Sequence, residues 1–177
     1  MPASNKDRLY VALYARGGQD PNTYHWAIIV GPKEEEEGGR GYRYHVRQRL
    51  DPARPGRLIW AYESLEIPLV QTSMLLGRIM IAKITDKAQI RSTLAAVPAI
   101  QDDPSWTCRI WVKDAITALE ADGKSLGTRV TKWTTIEQNA NNYIRQKRQQ
   151  RRYDGSGSWV SGTVPTFDLL DNREIIP

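Results

Sequence analysis

The sequence predicts an α+β domain, with an antiparallel sheet of about five strands packed on helices. Three observations carry that expectation. Strand-like alternation fills the first half of the chain, and from Asp86 the apolar period lengthens to that of a helix. The segments between successive strands are also too short for parallel crossovers. A chain of 177 residues suits one domain, able to bury about 70% of its unfolded surface. Its 40% hydrophobic and 25% charged content exclude wholesale disorder.

Leu9 to Tyr14 reads as the first strand, closed by Gly17-Gly18 and Pro21. Tyr24 to Val30 is the second; it is apolar on both faces apart from His25, which puts it in the middle of the sheet. Gly41 to Gln48 alternates, with Tyr42, Tyr44 and Val46 on one face and Arg43, His45 and Arg47 on the other. Leu58 to Tyr62 and Arg78 to Ile84 supply a fourth and a fifth strand. Glu34 to Glu37, between Pro32 and Gly38-Gly39, reads as an exposed loop tip.

Asp86 can cap a helix carrying Ile90, Leu94 and Val97, ended by Pro98. A second helix follows Asp102-Asp103-Pro104-Ser105, with Ser105 as its cap. Cys108, Trp111, Val112, Ala115, Ile116 and Leu119 form its apolar stripe, and Gly123 stops it. A third begins at Thr134 or Thr135 and runs to about Tyr153. Asp154 to Ser158 has the composition of a linker. The reading is therefore one domain over 1–153 and a tail, 154–177, whose apolar Val164, Phe167, Leu169 and Leu170 dock back on it.

No apolar run reaches the roughly 18 residues that cross a bilayer, and Met1 to Arg8 lacks the apolar core of a secretion signal. One cysteine cannot make an internal disulfide, which suits a reducing, cytoplasmic location. Part of the net charge of +5 sits in Arg145, Lys147, Arg148, Arg151 and Arg152. These residues read as a solvated helix face or as a surface for nucleic acid or anionic membrane, although no nucleic-acid motif accompanies them.

The residues that can carry chemistry are few: one cysteine and two histidines. A nucleophilic cysteine needs its thiolate, a base, and donors for the developing oxyanion. Cys108, near the start of a helix, has unpaired amides and the positive end of the helix dipole beside it. The same position on a buried stripe equally suits a packed core thiol. His25 can be a hydrogen-bonded strand histidine, and His45, flanked by Arg43 and Arg47, an exposed one. Gln101, seven residues before Cys108, is an oxyanion donor or an ordinary loop side chain. Trp26, Trp106 and Trp111 are core residues or the walls of an apolar pocket.

His25-Trp26-Ala27-Ile28-Ile29-Val30-Gly31 resembles the histidine strand of the lecithin retinol acyltransferase-like proteins, which have a circularly permuted papain-type fold. His25, His45 and Cys108 follow that family's order of histidine, second polar residue and helix-opening cysteine. Thr107-Cys108-Arg109-Ile110-Trp111 stands where the family has Asn-Cys-Glu-His-Phe, and the resemblance spans about Leu9 to Gly123. The chain also resembles a group of uncharacterised fungal proteins.

The resemblance implies a permuted papain-like architecture and a cysteine hydrolase or acyltransferase acting on an amide, ester or thioester of a small molecule, lipid or peptide. Cys108 is then the nucleophile, His25 the base, and His45 the group that fixes the tautomer of His25. No cofactor is implied. The rival readings are an inactive binding module of the same fold and a basic-helix protein. A zinc site built on the two histidines and Cys108 lacks the clustered spacing of such motifs, so no metal is expected.

Overall fold

The computed structural model describes residues 6–18, 20 and 22–177. The polar N-terminus as far as Asn5, and Pro21 at the close of the first strand, lie outside the described residues. The elements are β1 (Asp7–Ala15), β2 (Tyr24–Pro32), β3 (Arg40–Leu50), β4 (Leu58–Pro68), β5 (Leu75–Ile84), α1 (Lys87–Ala95), α2 (Cys108–Asp122), β6 (Leu126–Arg129), α3 (Trp133–Gln149), β7 (Thr166–Asp168) and β8 (Arg173–Ile176).

The fold is α+β, and its sheet has eight strands rather than about five. The order is β4-β3-β2-β1-β5-β7-β8, with β6 also alongside β5. The sheet is mixed, because β7 runs parallel to β5 while the other pairings are antiparallel. The three additional strands are three or four residues long, too short for a period of two to stand out. Thr166–Asp168 is a strand because Arg78–Met80 is there to pair with it.

Alternation along the central strands sorts their side chains into two cores. Leu9, Val11 and Leu13 of β1, with Trp26, Ile28 and Val30 of β2, meet residues of all three helices: Ile90 and Leu94, Trp111 and Ile116, Ile136 and Ile144. Tyr10, Ala12, Tyr14, Ala27 and Ile29 face the other way, where Leu69 and Val164 from connecting segments cover them in place of a helix. Gly41 lets β3 close on β2, since a Cβ there would lie 2.5 Å from the Val30 carbonyl oxygen.

Asp86 caps α1, its side chain accepting from the Gln89 amide at 2.9 Å. Gly123, left-handed at φ 65°, ends α2. The cap of α2 is Thr107, not Ser105. The Ser105 amide and hydroxyl are turned onto Asp103 Oδ1 at 2.9 and 2.6 Å, which spends Ser105 on its own turn. Cys108 is therefore the first helical residue. Helix α3 stops at Gln149, before the expected Tyr153, where Arg151 turns left-handed at φ 58°.

The basic segment at this helix end is not a free anion-binding face. Lys147 is 1% exposed, with Nζ 2.5 Å from Glu174 Oε2, and the Tyr143 hydroxyl donates to the same oxygen at 2.6 Å. Buried Arg152 donates to the Thr163 and Pro177 carbonyls and to Gln71 Oε1. Arg148 donates to the Tyr24 hydroxyl at 3.3 Å and stacks over its ring. Only Arg145 and Arg151 are exposed. These side chains fasten the C-terminal strands to the domain because a cation taken out of water needs a partner within it. The acidic loop likewise has an inward role: Glu35 pairs with Arg78, which is 1% exposed and lies 4.3 Å over the Tyr10 ring.

Candidate active site

The site is set by a parting of two strands. β2 and β3 are in register only over Ile28↔Tyr44, Ile29↔Arg43 and Val30↔Tyr42, whereas β3 stays paired with β4 along its full length. The start of β2, Tyr24 to Ala27, therefore has no ladder on the β3 side. There the Trp26 N–H donates to Cys108 Sγ at 3.5 Å. Helix α2 thus brings its first residue to the seam between the strands. The thiol is 1% exposed and packs with the helix-side core.

His25 and His45 come from the opposite face. His25 alternates with Ala27 and Ile29, and its ring lies 6.1 Å from that of its cross-strand neighbour Tyr14. His45 alternates against Tyr44 and Val46 of the helix-side core and is 4% exposed, so its flanking arginines do not carry it into solvent. The two rings meet edge to face, with His25 Nε2 2.7 Å from His45 Nδ1. His45 Nε2 is 3.0 Å from Glu63 Oε1, and Glu63 Oε2 accepts from Arg47 Nε at 2.9 Å.

This chain fixes the protons. Glu63 is held below the usual carboxylate range, chiefly by its hydrogen bond with His45, and so accepts only. His45 Nε2 must then carry a hydrogen, and neutral His45 has a lone pair at Nδ1. His25 Nε2 donates to that lone pair, which leaves His25 Nδ1 unprotonated. Burial, then the nearby His45, Arg43 and Arg16, hold His25 down to about 4. Burial also lowers His45 and pushes the Cys108 thiol up, against the opposing Trp26 amide. The resting state is neutral thiol and neutral imidazole. Among the described residues, no hydrogen bond joins Cys108 Sγ to His25.

A family described as a family of unknown function, DUF6914, matches residues 6–176. The chain belongs to DUF6914. No curated protein and no solved structure matches it. The DUF6914 match runs from β1 into β8, so the strands supplied by the C-terminal segment fall within it.

Other residues singled out in the sequence sit elsewhere in this DUF6914 fold. Gln101 Nε2 donates to the Trp60 carbonyl at 2.8 Å and to Ala99 O at 3.4 Å, while its Oε1 accepts from the Trp60 amide at 2.9 Å. The side chain acts as a strand partner on the open edge of β4, with no hydrogen left for an oxyanion. Trp111 is fully buried, its Nε1 donating to Val97 O at 3.4 Å and its ring against Tyr62. Trp106 packs on Trp60, and Trp26 on Trp133.

Sequence reasoning misses Glu63, because a fourth strand read as Leu58 to Tyr62 stops one residue short of it. A signal was present: Arg43, His45 and Arg47 form a basic row on one strand face, which calls for an acid on the facing strand. Glu63 is opposite His45 in the ladder. Among the described residues, no group of three or more potential ligands could hold a metal ion, and no helix is long and apolar enough to cross a membrane.

Proposed function

We propose that this DUF6914 protein is a cysteine-dependent hydrolase or acyltransferase acting on an amide, ester or thioester, of the permuted papain type suggested by its histidine strand. Its substrate is a small-molecule, lipid or peptide acyl compound, and a lone unpaired thiol fits a cytoplasmic setting. The observation that carries the reading is the 3.5 Å bond from the Trp26 amide to Cys108 Sγ. It seats the sulfur against the residue next to His25, whose Nδ1 is the one ring nitrogen of the pair left as an acceptor.

In this mechanism His25 Nδ1 takes the Cys108 proton as sulfur attacks the carbonyl carbon. The resulting oxyanion faces the unpaired amides at the start of α2. Collapse expels the leaving group, which takes its proton from His25 and leaves a thioester on Cys108. Water or an acceptor then gives its proton to His25 and attacks the thioester, expelling the Cys108 thiolate, which takes that proton back from His25. Glu63 and His45 act as positioning residues, because they hold the His25 tautomer and offset the charge it gains.

A second reading has its own observation. Cys108 is 1% exposed and its thiol is pushed up by burial, as in a packing thiol of an inactive binding module. Alkylation of Cys108 by iodoacetamide at pH 6 separates the two. The enzyme reading expects a faster rate than in the urea-unfolded chain, lost in His25→Ala. Labelling slower than in the unfolded chain and indifferent to His25→Ala leaves only the binding module.

A further inference from the structure

We propose that this same site takes an anionic substrate, an acyl compound whose carboxylate or phosphate group is held by Arg43 and Arg16. The inference rests on the cysteine reading above and extends it to a substrate class.

Arg43 lies two residues before His45 on β3 and shares its face. Its guanidinium stands 5.4 Å over the Tyr14 ring, which in turn faces His25. Arg43 Nε is buried and has no hydrogen-bond partner. The nearest acid is Glu63, 3.7 Å from Arg43 Nη2, but both Glu63 oxygens are already engaged by His45 and Arg47. Arg16, exposed just past the end of β1, makes no ion pair among the described residues. It directly follows Ala15, whose ladder partner Tyr24 precedes His25, and from there its charge lowers both His25 and Cys108.

Arg43 and Arg47 thus flank His45 on its strand face, Arg16 follows the end of the strand paired beside His25, and Glu63 is the one carboxylate paired with any of the three among the described residues. A polar nitrogen withdrawn from water without a partner is costly, and a substrate oxyanion would supply that partner. The anion would also offset the two cations that oppose protonation of His25. It would therefore strengthen the base at the moment the thiol must lose its proton.

The test compares alkylation of Cys108 by iodoacetate and by neutral iodoacetamide. In each reaction sulfur displaces iodide to form a thioether, and the thiol proton passes to His25. Cys108 is the lone cysteine, so a mass shift reports it directly. The iodoacetate-to-iodoacetamide rate ratio should be about tenfold higher in the folded protein than in the urea-unfolded chain. Arg16→Gln with Arg43→Gln should return the ratio to the unfolded value; any change in thiol or His25 basicity alters both reagents' rates alike and cancels in the ratio, and an unchanged circular dichroism spectrum reports an intact fold.

Protection from iodoacetate by inorganic phosphate assigns the anion to a small soluble substrate. Protection only by phosphatidylglycerol vesicles assigns it to a lipid headgroup. A His25-dependent iodoacetamide reaction with no anion preference overturns this inference and leaves the cysteine reading standing. If neither reagent outpaces its reaction with the unfolded chain, the cysteine reading itself has failed.

Discussion

Glu63 faces His45 directly across the β3–β4 ladder, with Oε1 3.0 Å from the ring Nε2. A carboxylate on the edge strand therefore determines which nitrogen carries the proton on His45 and, through the 2.7 Å contact, on His25 as well. Glu63→Gln breaks that logic without altering size. The new amide can donate to His45 Nε2, which reverses both tautomers and turns His25 Nδ1 into a donor. The His25-dependent alkylation of Cys108 should fall by about a hundredfold with the circular dichroism spectrum unchanged. A drop of less than about threefold would show that the proton arrangement does not matter.

The low basicity of His25 makes stability depend on pH, with a definite sign. Its folded value is about 4 against 6.5 for the free side chain, so between these limits the unfolded chain binds more protons. Stability is complete above about 6.5 and is lost as pH falls toward 4, by an amount on the order of 3 kcal/mol. His45 and Glu63 are also lowered and act in the same direction. Urea unfolding at pH 7 and pH 4.5 should show a smaller loss in His25→Asn than in the native chain. Equal losses in the two proteins would mean that His25 is not held neutral.

Gln101, seven residues before Cys108 in sequence, separates a structural from a chemical role. Its bonds to Trp60 close the open edge of β4. Gln101→Ala should cost about 1–3 kcal/mol of stability and leave the alkylation rate of Cys108 unchanged. A selective loss of reactivity at full stability would instead place this amide in the chemistry.

The C-terminal strands hang on Lys147. With Glu174 removed as Glu174→Ala, a cation that is 1% exposed loses its ion-pair partner, and a loss of about 3 kcal/mol is expected. Lys147→Met in the same chain should recover most of it, since methionine fills the space without a charge to solvate. Thermal melts of the single and double variants measure this. No recovery in the double variant would mean that the pair is not a closed unit.

The layer class and five of the strands were legible because each has a long period of two or an unbroken apolar run, as in Leu9–Tyr14 and Tyr24–Val30. Asp86 and Gly123 were legible as helix ends because their roles depend on local backbone geometry alone. Ser105 misled: it is a good cap by residue type, yet Asp103 two residues earlier captures it in a turn. The basic run at the end of α3 misled for a different reason. Its partners Glu174, Gln71 and Pro177 are distant in sequence, so solvent looked like the default environment.

By itself the sequence determined where the chain alternates, where helices begin and end, and how scarce the reactive side chains are. Tertiary structure decided which of them meet. The parting of β2 from β3, the Trp26 amide turned to Cys108, and Glu63 opposite His45 all depend on strand register, and register is a property of two strands together. Composition and spacing describe one strand at a time, so the proton chain from Glu63 to His25 exists only once β2, β3 and β4 lie side by side.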